Sequence, residues 1–166
     1  MKKNNIVLIG MPGCGKSTIG VILAKHLGYN FIDTDLNICQ RAGKTLSRIL
    51  LEDGYDKFIE IENEIGLSIE TENTVIATGG SMVLSKDAML HLKENAIVVY
   101  LQIDLNTIKK RIAVTFSGRG VATRQKMSIE EIYEQRKTYY EKYADVTINC
   151  VGVVERNVEL IENALV

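Results

Sequence analysis

Residues 10–17, GMPGCGKS, have the types and spacing that bind a phosphate group. They fit the pattern G-x-x-x-x-G-K-[ST], in which glycines let successive backbone N–H groups turn toward phosphate oxygens. A helix that starts here directs the positive end of its dipole at the same anion. In this pattern Lys16 contacts the β- and γ-phosphates, and the Ser17 hydroxyl binds Mg²⁺. We therefore predict that ATP and Mg²⁺ bind here through Gly13, Cys14, Gly15, Lys16, Ser17 and Thr18.

Two aspartates, Asp33 and Asp35, follow a short apolar run at residues 31–32. If this run is a strand of a parallel sheet, both carboxylates lie at the carboxyl edge, where ligands gather. Being two apart on an extended segment, their side chains point the same way. Either could orient or deprotonate an attacking hydroxyl. The alternative is that this segment caps the helix that follows.

Apolar runs alternate along the chain with stretches of helical spacing. Strands are predicted at residues 6–9, 31–32, 74–77, 96–101 and 146–150, and helices at 17–27, 104–111, 128–143 and 153–165. Continuous apolar strands separated by helices indicate a parallel sheet covered on both faces. The predicted fold class is therefore α/β, with one domain over residues 1–166.

Local signals place the ends of several helices. Asp104 is a candidate N-cap, and Ser128 with Glu131 three residues later forms a capping box. Residues 117–125 are polar and without period, which predicts a mobile loop. Breaks or ends are expected at Gly28, Gly43 and Gly54.

Composition excludes several classes of partner. The formal net charge of −1 lacks the basic footprint that nucleic acid or an anionic membrane surface requires. Three cysteines at scattered spacings, Cys14, Cys39 and Cys150, form neither a disulfide framework nor a CxxC metal pattern. The apolar run at residues 6–9 is too short for a signal peptide or a membrane span. We expect a cytoplasmic protein that acts on a small molecule.

Four segments together resemble the shikimate kinase family. These are NIVLIGMPGCGKSTIG, FIDTD, ATGGS and QRKTYYEKYAD, and the resemblance runs in order over about the whole chain. It implies a P-loop kinase with a five-stranded parallel sheet in the order 2-3-1-4-5. It also implies transfer of a phosphoryl group from ATP to a metabolite hydroxyl, shikimate to shikimate 3-phosphate being the family reaction. A monomer is expected.

The resemblance assigns roles to the residues around the acceptor. Asp33 would support Mg²⁺ through water, and Asp35 would accept hydrogen bonds from substrate hydroxyls. Gly79 and Gly80 would form a loop at the substrate, or a plain turn after the third strand. Arg136, in R-x-x-x-Y, matches the arginine that grips the substrate carboxylate; alternatively it is a solvated helix arginine.

The resemblance also implies a small lid at about residues 115–126, which closes over the transferring phosphoryl group. Arg119 would be the lid arginine that stabilises its charge. Arg111, on the preceding helix, resembles the arginine that stacks on adenine. A helical region at about residues 34–62 would bind the substrate.

Three departures from the family pattern fall at substrate-facing positions. Ile59 stands where F-R-x-x-E has its arginine, Ser81 replaces a third glycine, and Gly120-Val121-Ala122 replaces P-L-L. Since one carboxylate clamp is lost, we expect an acceptor that is not shikimate, or weak binding of shikimate. Lys57 or Arg124 could instead compensate.

The acidic positions 60, 62 and 64 are expected to be a solvated helix face. Two other functions stay open on the sequence: a nucleoside monophosphate kinase or gluconate-type sugar kinase, and a nucleotide-binding regulatory paralogue without catalysis. Intact Lys16, Ser17, Asp33 and Arg119 argue against the last of these.

Overall fold

The computed structural model describes residues 3–115, 121–123 and 126–166. Five parallel strands form one sheet in the order β2-β3-β1-β4-β5. This order confirms the predicted one. The strands are β1 Asn5–Ile9, β2 Asn30–Asp33, β3 Thr74–Ala77, β4 Ala96–Gln102 and β5 Val146–Asn149.

Helices cover this sheet. They are α1 Lys16–Leu27, α2 Thr34–Ala42, α3 Leu46–Glu52, α4 Tyr55–Ser68, α5 Lys86–Glu94, α6 Leu105–Thr115, α7 Ile129–Tyr143 and α8 Val154–Leu165, with a short 3-10 helix at Met82–Leu84. Helices α1 to α7 lie in the crossovers between parallel strands, and α8 follows β5. Among the described residues, no helix is both long enough and apolar enough to cross a membrane.

The register of the parallel strands brings three loops to one edge of the sheet. Leu8 and Asp33 both pair with Ala77, so β1, β2 and β3 end side by side. The phosphate-binding loop follows β1, α2 follows β2, and the segment containing Gly79 follows β3. The predicted site residues from these three loops therefore meet at the carboxyl edge of the sheet.

Two apolar clusters stabilise the fold. The larger one contains the sheet and the helices packed on it, with β1, β3 and most of β4 buried, as their continuous apolar runs predict. Its tyrosines include Tyr100 and Tyr140, whose rings stack with centroids 5.1 Å apart. The smaller cluster joins the helices at residues 34–68 to a residue of the predicted lid region, through Ile38, Ile49, Phe58, Ile61, Ile65 and Ala122.

The signals for helix ends are confirmed. Gly28 and Gly43 end α1 and α2. The Asp104 carboxylate accepts from the Thr107 amide at 2.9 Å, and Ser128 with Glu131 forms the capping box of α7. Helix α6 extends to Thr115, beyond the predicted end at 111. Of the predicted loop at 117–125, only residues 121–123 belong to the described part of the chain.

Candidate active site

The phosphate-binding loop is a tight curl between β1 and α1. At Gly10, φ is 151°, and a Cβ there would lie 2.8 Å from both Cys14 Sγ and the Leu101 carbonyl oxygen. Only glycine fits this position without a shift of backbone. Cys14 is buried beneath the loop, so its predicted contribution to nucleotide binding is through the backbone.

Lys16 is held at the centre of this curl. Its Nζ donates hydrogen bonds to the carbonyl oxygens of Gly10 at 2.7 Å and Met11 at 2.9 Å, and Cys14 Sγ lies 3.6 Å away. The side chain is buried although it carries a charge. The loop therefore positions an ammonium group beside its own backbone, where bound phosphates would lie.

Ser17 and Asp33 meet in front of the loop. The Ser17 hydroxyl donates to Asp33 Oδ2 at 2.6 Å, and Asp33 Oδ1 accepts from the Asp35 amide at 3.0 Å. Asp33 is thus the N-cap of α2 and a partner of the phosphate-binding loop at the same time. A hydroxyl and a carboxylate at this distance are the hard oxygen ligands that Mg²⁺ prefers.

The prediction that Asp33 and Asp35 lie on one extended segment is wrong. Strand β2 ends at Asp33 and α2 begins at Thr34, so Asp35 lies in the first turn of a helix. The reason is the cap itself, because the Asp33 carboxylate stabilises the free amides of the helix start. The two carboxylates consequently have different neighbours: Asp33 accepts a hydrogen bond from Ser17, and Asp35 lines a cavity.

A cavity of about 540 Å³ is lined by Ser17 and Asp35 but not by Asp33 or Cys14. Most of the predicted site residues line it, namely Gly13, Gly15, Lys16, Ser17, Thr18, Asp35, Gly79, Gly80, Arg111 and Arg136. Arg119, the predicted lid arginine, lies outside the described residues. Leu46 and Phe58 from the predicted substrate-binding region and Val121 and Ala122 from the predicted lid also line it, together with Thr78, Lys110 and Ile112, to which sequence reasoning assigned no role.

Arg111 connects α6 to the nucleotide side of the cavity. Its Nη1 donates to the carbonyl oxygen of Gly13 at 3.1 Å. The position suits the predicted stacking of its guanidinium on a base, since the group lies next to the phosphate-binding loop. Lys110, its neighbour, also lines the cavity.

The two glycines after β3 are required by close packing. A Cβ on Gly79 would lie 2.7 Å from Asp35 Oδ1 and 2.8 Å from Glu62 Oε1, and one on Gly80 would lie 2.6 Å from Pro12 Cδ. The Gly79 amide donates to Thr34 Oγ1 at 3.1 Å. These glycines therefore let the acceptor-side carboxylates and the phosphate-binding loop approach β3.

Glu62 is buried beside the lining residues Gly79 and Ser81, so the expectation of a solvated face is wrong for it. Its side chain is 0% exposed and accepts hydrogen bonds from Ser81 Oγ at 2.8 Å and 3.0 Å. Burial raises the pKa of Glu62 to about 8; Ser81 opposes this shift, and the charge of Asp35 adds to it. The signal was present in the sequence, since position 62 shares one helical face with Phe58 and Ile65.

The neighbouring acidic residues do behave as a solvated face. Glu60 pairs with Lys57 at 3.0 Å, and Glu64 pairs with Arg41 at 2.7 Å. Lys57 is therefore directed to the surface, which argues against the idea that it replaces the missing arginine. Arg124, the other candidate, lies outside the described residues.

Arg136 is a buried arginine that lines the cavity. It is 2% exposed, its Nη2 donates to the Ala122 carbonyl oxygen, and its buried Nε has no partner within the described residues. The alternative of a solvated helix arginine is thus wrong. Ile59, where the family has a second arginine, packs instead against the smaller apolar cluster.

Comparison with known proteins agrees with this geometry. The family model for Shikimate kinase matches residues 12–163. The Shikimate kinase of Clostridium botulinum (strain Alaska E43 / Type E3) is 36% identical over 165 residues, 99% of this chain and 98% of that protein. Threonine synthase-like 1 of Mus musculus is 35% identical over 147 residues, 88% of this chain and 20% of that protein.

Among solved structures, "Shikimate kinase from Acinetobacter baumannii in complex with shikimate" matches with a TM-score of 0.86 at 27% identity. The match covers 98% of this chain and 93% of that one. The sequence matches and the match of the fold point to the same family. The chain belongs to the shikimate kinase family of ATP-dependent phosphotransferases.

Proposed function

We propose that this chain transfers the γ-phosphoryl group of ATP to a hydroxyl of a small hydroxy carboxylate. One observation carries the proposal: the phosphate-binding loop, Asp35 and Arg136 line the same cavity. A donor phosphate at the loop and an acceptor carboxylate at Arg136 would then be held together. Positioning of this kind supplies much of the catalysis in phosphoryl transfer.

At the nucleotide end, Lys16 and the loop amides would stabilise the charge of the β- and γ-phosphates. Ser17 and Asp33 are suited to hold Mg²⁺. The Ser17 hydroxyl would be a direct ligand of the ion, and the Asp33 carboxylate would bind it through water. When bound, the ion would neutralise phosphate charge. Among the described residues, no group of three or more His, Cys, Asp or Glu could hold a metal ion. The nucleotide phosphates and water would therefore complete the coordination, as is usual for Mg²⁺.

At the acceptor end, Asp35 would accept a hydrogen bond from the attacking hydroxyl and orient it. Arg136 would bind the carboxylate, since its buried Nε lacks a partner in the described part of the chain. The role of Arg119, stabilisation of the transferring group from a lid at about residues 115–126, rests on family resemblance. We expect one domain that acts as a monomer in a reducing cytoplasm.

Shikimate is the first acceptor to test, because relatives carry that name and one solved relative is a complex with it. A different hydroxy carboxylate is the second candidate, and Ile59 favours it. Loss of one charged hydrogen-bond donor typically costs about 2–5 kcal/mol of binding.

The test is ADP release measured with ATP, Mg²⁺ and a panel of hydroxy carboxylates that includes shikimate. We expect release to require all three components and to fall roughly 10²-fold or more in Asp35→Asn, which leaves the acceptor hydroxyl poorly oriented. Asp87→Asn, an exposed aspartate on α5, is the matched control. Binding of ATP without acceptor-dependent ADP release would contradict the proposal and favour a regulatory nucleotide-binding protein.

A further inference from the structure

Ser81 is a cavity residue that the family resemblance does not explain, because a glycine is expected there. It follows Gly79 and Gly80 and lines the cavity, although it is only 3% exposed. The Tyr140 hydroxyl donates to the Gly80 carbonyl oxygen at 2.7 Å. Arg136 lies one turn before Tyr140 on α7, so the two side chains share the helix face that meets this segment. Ser81 and Arg136 therefore line one region of the cavity.

Glu62 lies behind Ser81 and does not line the cavity. Its carboxyl is 0% exposed, and its two oxygens lie 2.8 Å and 3.0 Å from Ser81 Oγ. Burial raises the pKa of Glu62 to about 8, so the carboxyl is mostly protonated at neutral pH. The charged groups that act on it are Asp35 from α2, which favours the protonated form, and Arg136 from α7 and Lys16 from α1, which oppose it.

The protonation of Glu62 decides what Ser81 offers to a ligand. A neutral carboxyl has one O–H, and a serine hydroxyl has one O–H and two lone pairs. At 2.8 Å the Glu62 O–H can donate to Ser81 Oγ, and the Ser81 proton then turns to an anionic acceptor in the cavity, which forms the stronger hydrogen bond. When Glu62 is ionised, its buried carboxylate takes the Ser81 proton instead. Ser81 then presents only lone pairs to the cavity.

We propose that Ser81, kept as a donor by protonated Glu62, binds the carboxylate of the acceptor beside Arg136. This role rests on the proposed function and adds a specificity-determining residue to it. Arg136 supplies a guanidinium, and the Ser81 hydroxyl supplies a second, neutral donor. That donor replaces the arginine of the family pattern at position 59, where Ile59 packs in the smaller apolar cluster. Glu62 is a positioning residue, because it acts on the ligand through Ser81.

Carboxylate binding should weaken at alkaline pH. Below about pH 8 Glu62 is protonated, and Ser81 donates to the ligand. Above that pH Glu62 ionises, takes the Ser81 proton and adds a negative charge behind the ligand carboxylate. KM for the acceptor should therefore rise with pH. The turnover number kcat should change less, because the lost contact binds the ground state and the transition state alike.

The test is the kinetics of ADP release with each hydroxy carboxylate of the panel that supports turnover, shikimate first. For wild type, KM for the carboxylate should rise at least threefold from pH 7 to pH 9. Ser81→Ala should raise KM at pH 7 about fivefold, change kcat less than twofold and lose the dependence on pH. Ser85→Ala is the matched control and should match wild type. It removes a buried serine at the other end of the same 3-10 helix, whose Oγ has no partner within the described residues.

Glu62→Gln separates the positioning role from a structural one. The glutamine amide can donate to Ser81 Oγ and does not titrate, so KM at pH 7 should stay within about twofold of wild type and should not rise toward pH 9. Glu60→Gln, which changes an exposed glutamate of the same helix, should keep the wild-type rise. Ser81→Gly, which has the glycine of the family pattern, should behave like Ser81→Ala and gives a second reading if the alanine variant does not fold.

The outcomes separate this role from the proposed function. An unchanged KM in folded Ser81→Ala or Ser81→Gly, or a wild-type KM that does not depend on pH, would leave the kinase activity standing and overturn the role of Ser81. A rise of KM with pH that survives in Glu62→Gln would overturn the positioning role of Glu62. If no carboxylate of the panel supports ADP release, both proposals are overturned.

Discussion

The two ends of the cavity differ in how fully their polar groups are satisfied within the protein. At the nucleotide end, Lys16 donates to two loop carbonyls and Ser17 donates to Asp33. At the acceptor end, Arg136 has an unpartnered Nε in the described part of the chain, and buried Glu62 receives only a neutral donor there. The first end is organised for one nucleotide, and the second leaves recognition to be completed by the acceptor.

This difference separates the residues that match the family pattern from the residues that differ from it near the acceptor. The nucleotide end follows the P-loop pattern at each of its residues. The acceptor end keeps Asp35 and Arg136 but replaces an arginine by Ile59 and a glycine by Ser81. Ser81 bonds to Glu62, and Glu62 lies three residues after Ile59 on α4. Specificity can therefore change at one end without loss of chemistry at the other.

The largest expected effect comes from the nucleotide end. Lys16→Ala should reduce kcat for ADP release roughly 10²- to 10³-fold or more, since a fixed positive charge on the transferring phosphates is lost. Lys25→Ala replaces an exposed lysine in the last turn of α1 and should leave kcat for ADP release unchanged. Circular dichroism would check that both variants fold. Retained turnover in a folded Lys16→Ala variant would contradict the role of Lys16 at the nucleotide end.

A second prediction concerns Glu62 and the pH dependence of stability. Its pKa rises from the ordinary 4.5 to about 8 in the folded state. Between these values the folded state binds more protons than the unfolded state, so this group destabilises the protein progressively as pH rises from about 4.5 to 8. The effect is on the order of a few kcal/mol, because one pKa unit corresponds to about 1.4 kcal/mol.

Denaturant unfolding of wild type and Glu62→Gln at pH 5 and pH 8.5 measures this effect. The variant should gain stability relative to wild type as pH rises, whereas Glu60→Gln should differ from wild type by a constant amount. A difference for Glu62→Gln that does not change with pH would show that the carboxyl is ionised and compensated at neutral pH.

The contact between the two ends is tested by Gly80→Ala. The added Cβ would lie 2.6 Å from Pro12 Cδ, so the phosphate-binding loop must shift. We expect a loss of about 1–3 kcal/mol in the free energy of unfolding and a higher KM for ATP. Gly152→Ala, where a Cβ would have no neighbour within 4 Å, is the control and should stay within about 0.5 kcal/mol. Equal stability of both variants would argue against tight packing here.

The smallest expected effect concerns residue 59 and the use of shikimate as the acceptor. Ile59→Arg should raise kcat/KM for shikimate about tenfold, because a second guanidinium would bind its carboxylate or pair with Glu62. Ile59→Leu, which keeps the apolar contact, is the control. If Ile59→Arg has no effect on shikimate while it folds normally, the missing arginine does not determine the acceptor.

Local patterns in the sequence predicted the strands and the helix ends, since apolar runs, glycines and caps act over a few residues, whereas the strand order was expected from the family resemblance. Long-range packing decided the rest. The burial of Glu62 depends on which face of α4 meets the sheet, and the burial of Ala122 depends on contact with Phe58 and its neighbours. Asp33 and Asp35 were expected to point the same way, and a helix that begins at Thr34 with Asp33 as its cap separated them.

The most direct test of the central claim is ³¹P NMR of ATP, Mg²⁺ and the acceptor panel with the wild-type chain. If the chain is a kinase, we expect a new phosphomonoester resonance that grows together with ADP, requires an acceptor, and is absent with Lys16→Ala. Binding of ATP that yields neither ADP nor a phosphomonoester with any acceptor would contradict the proposed kinase activity.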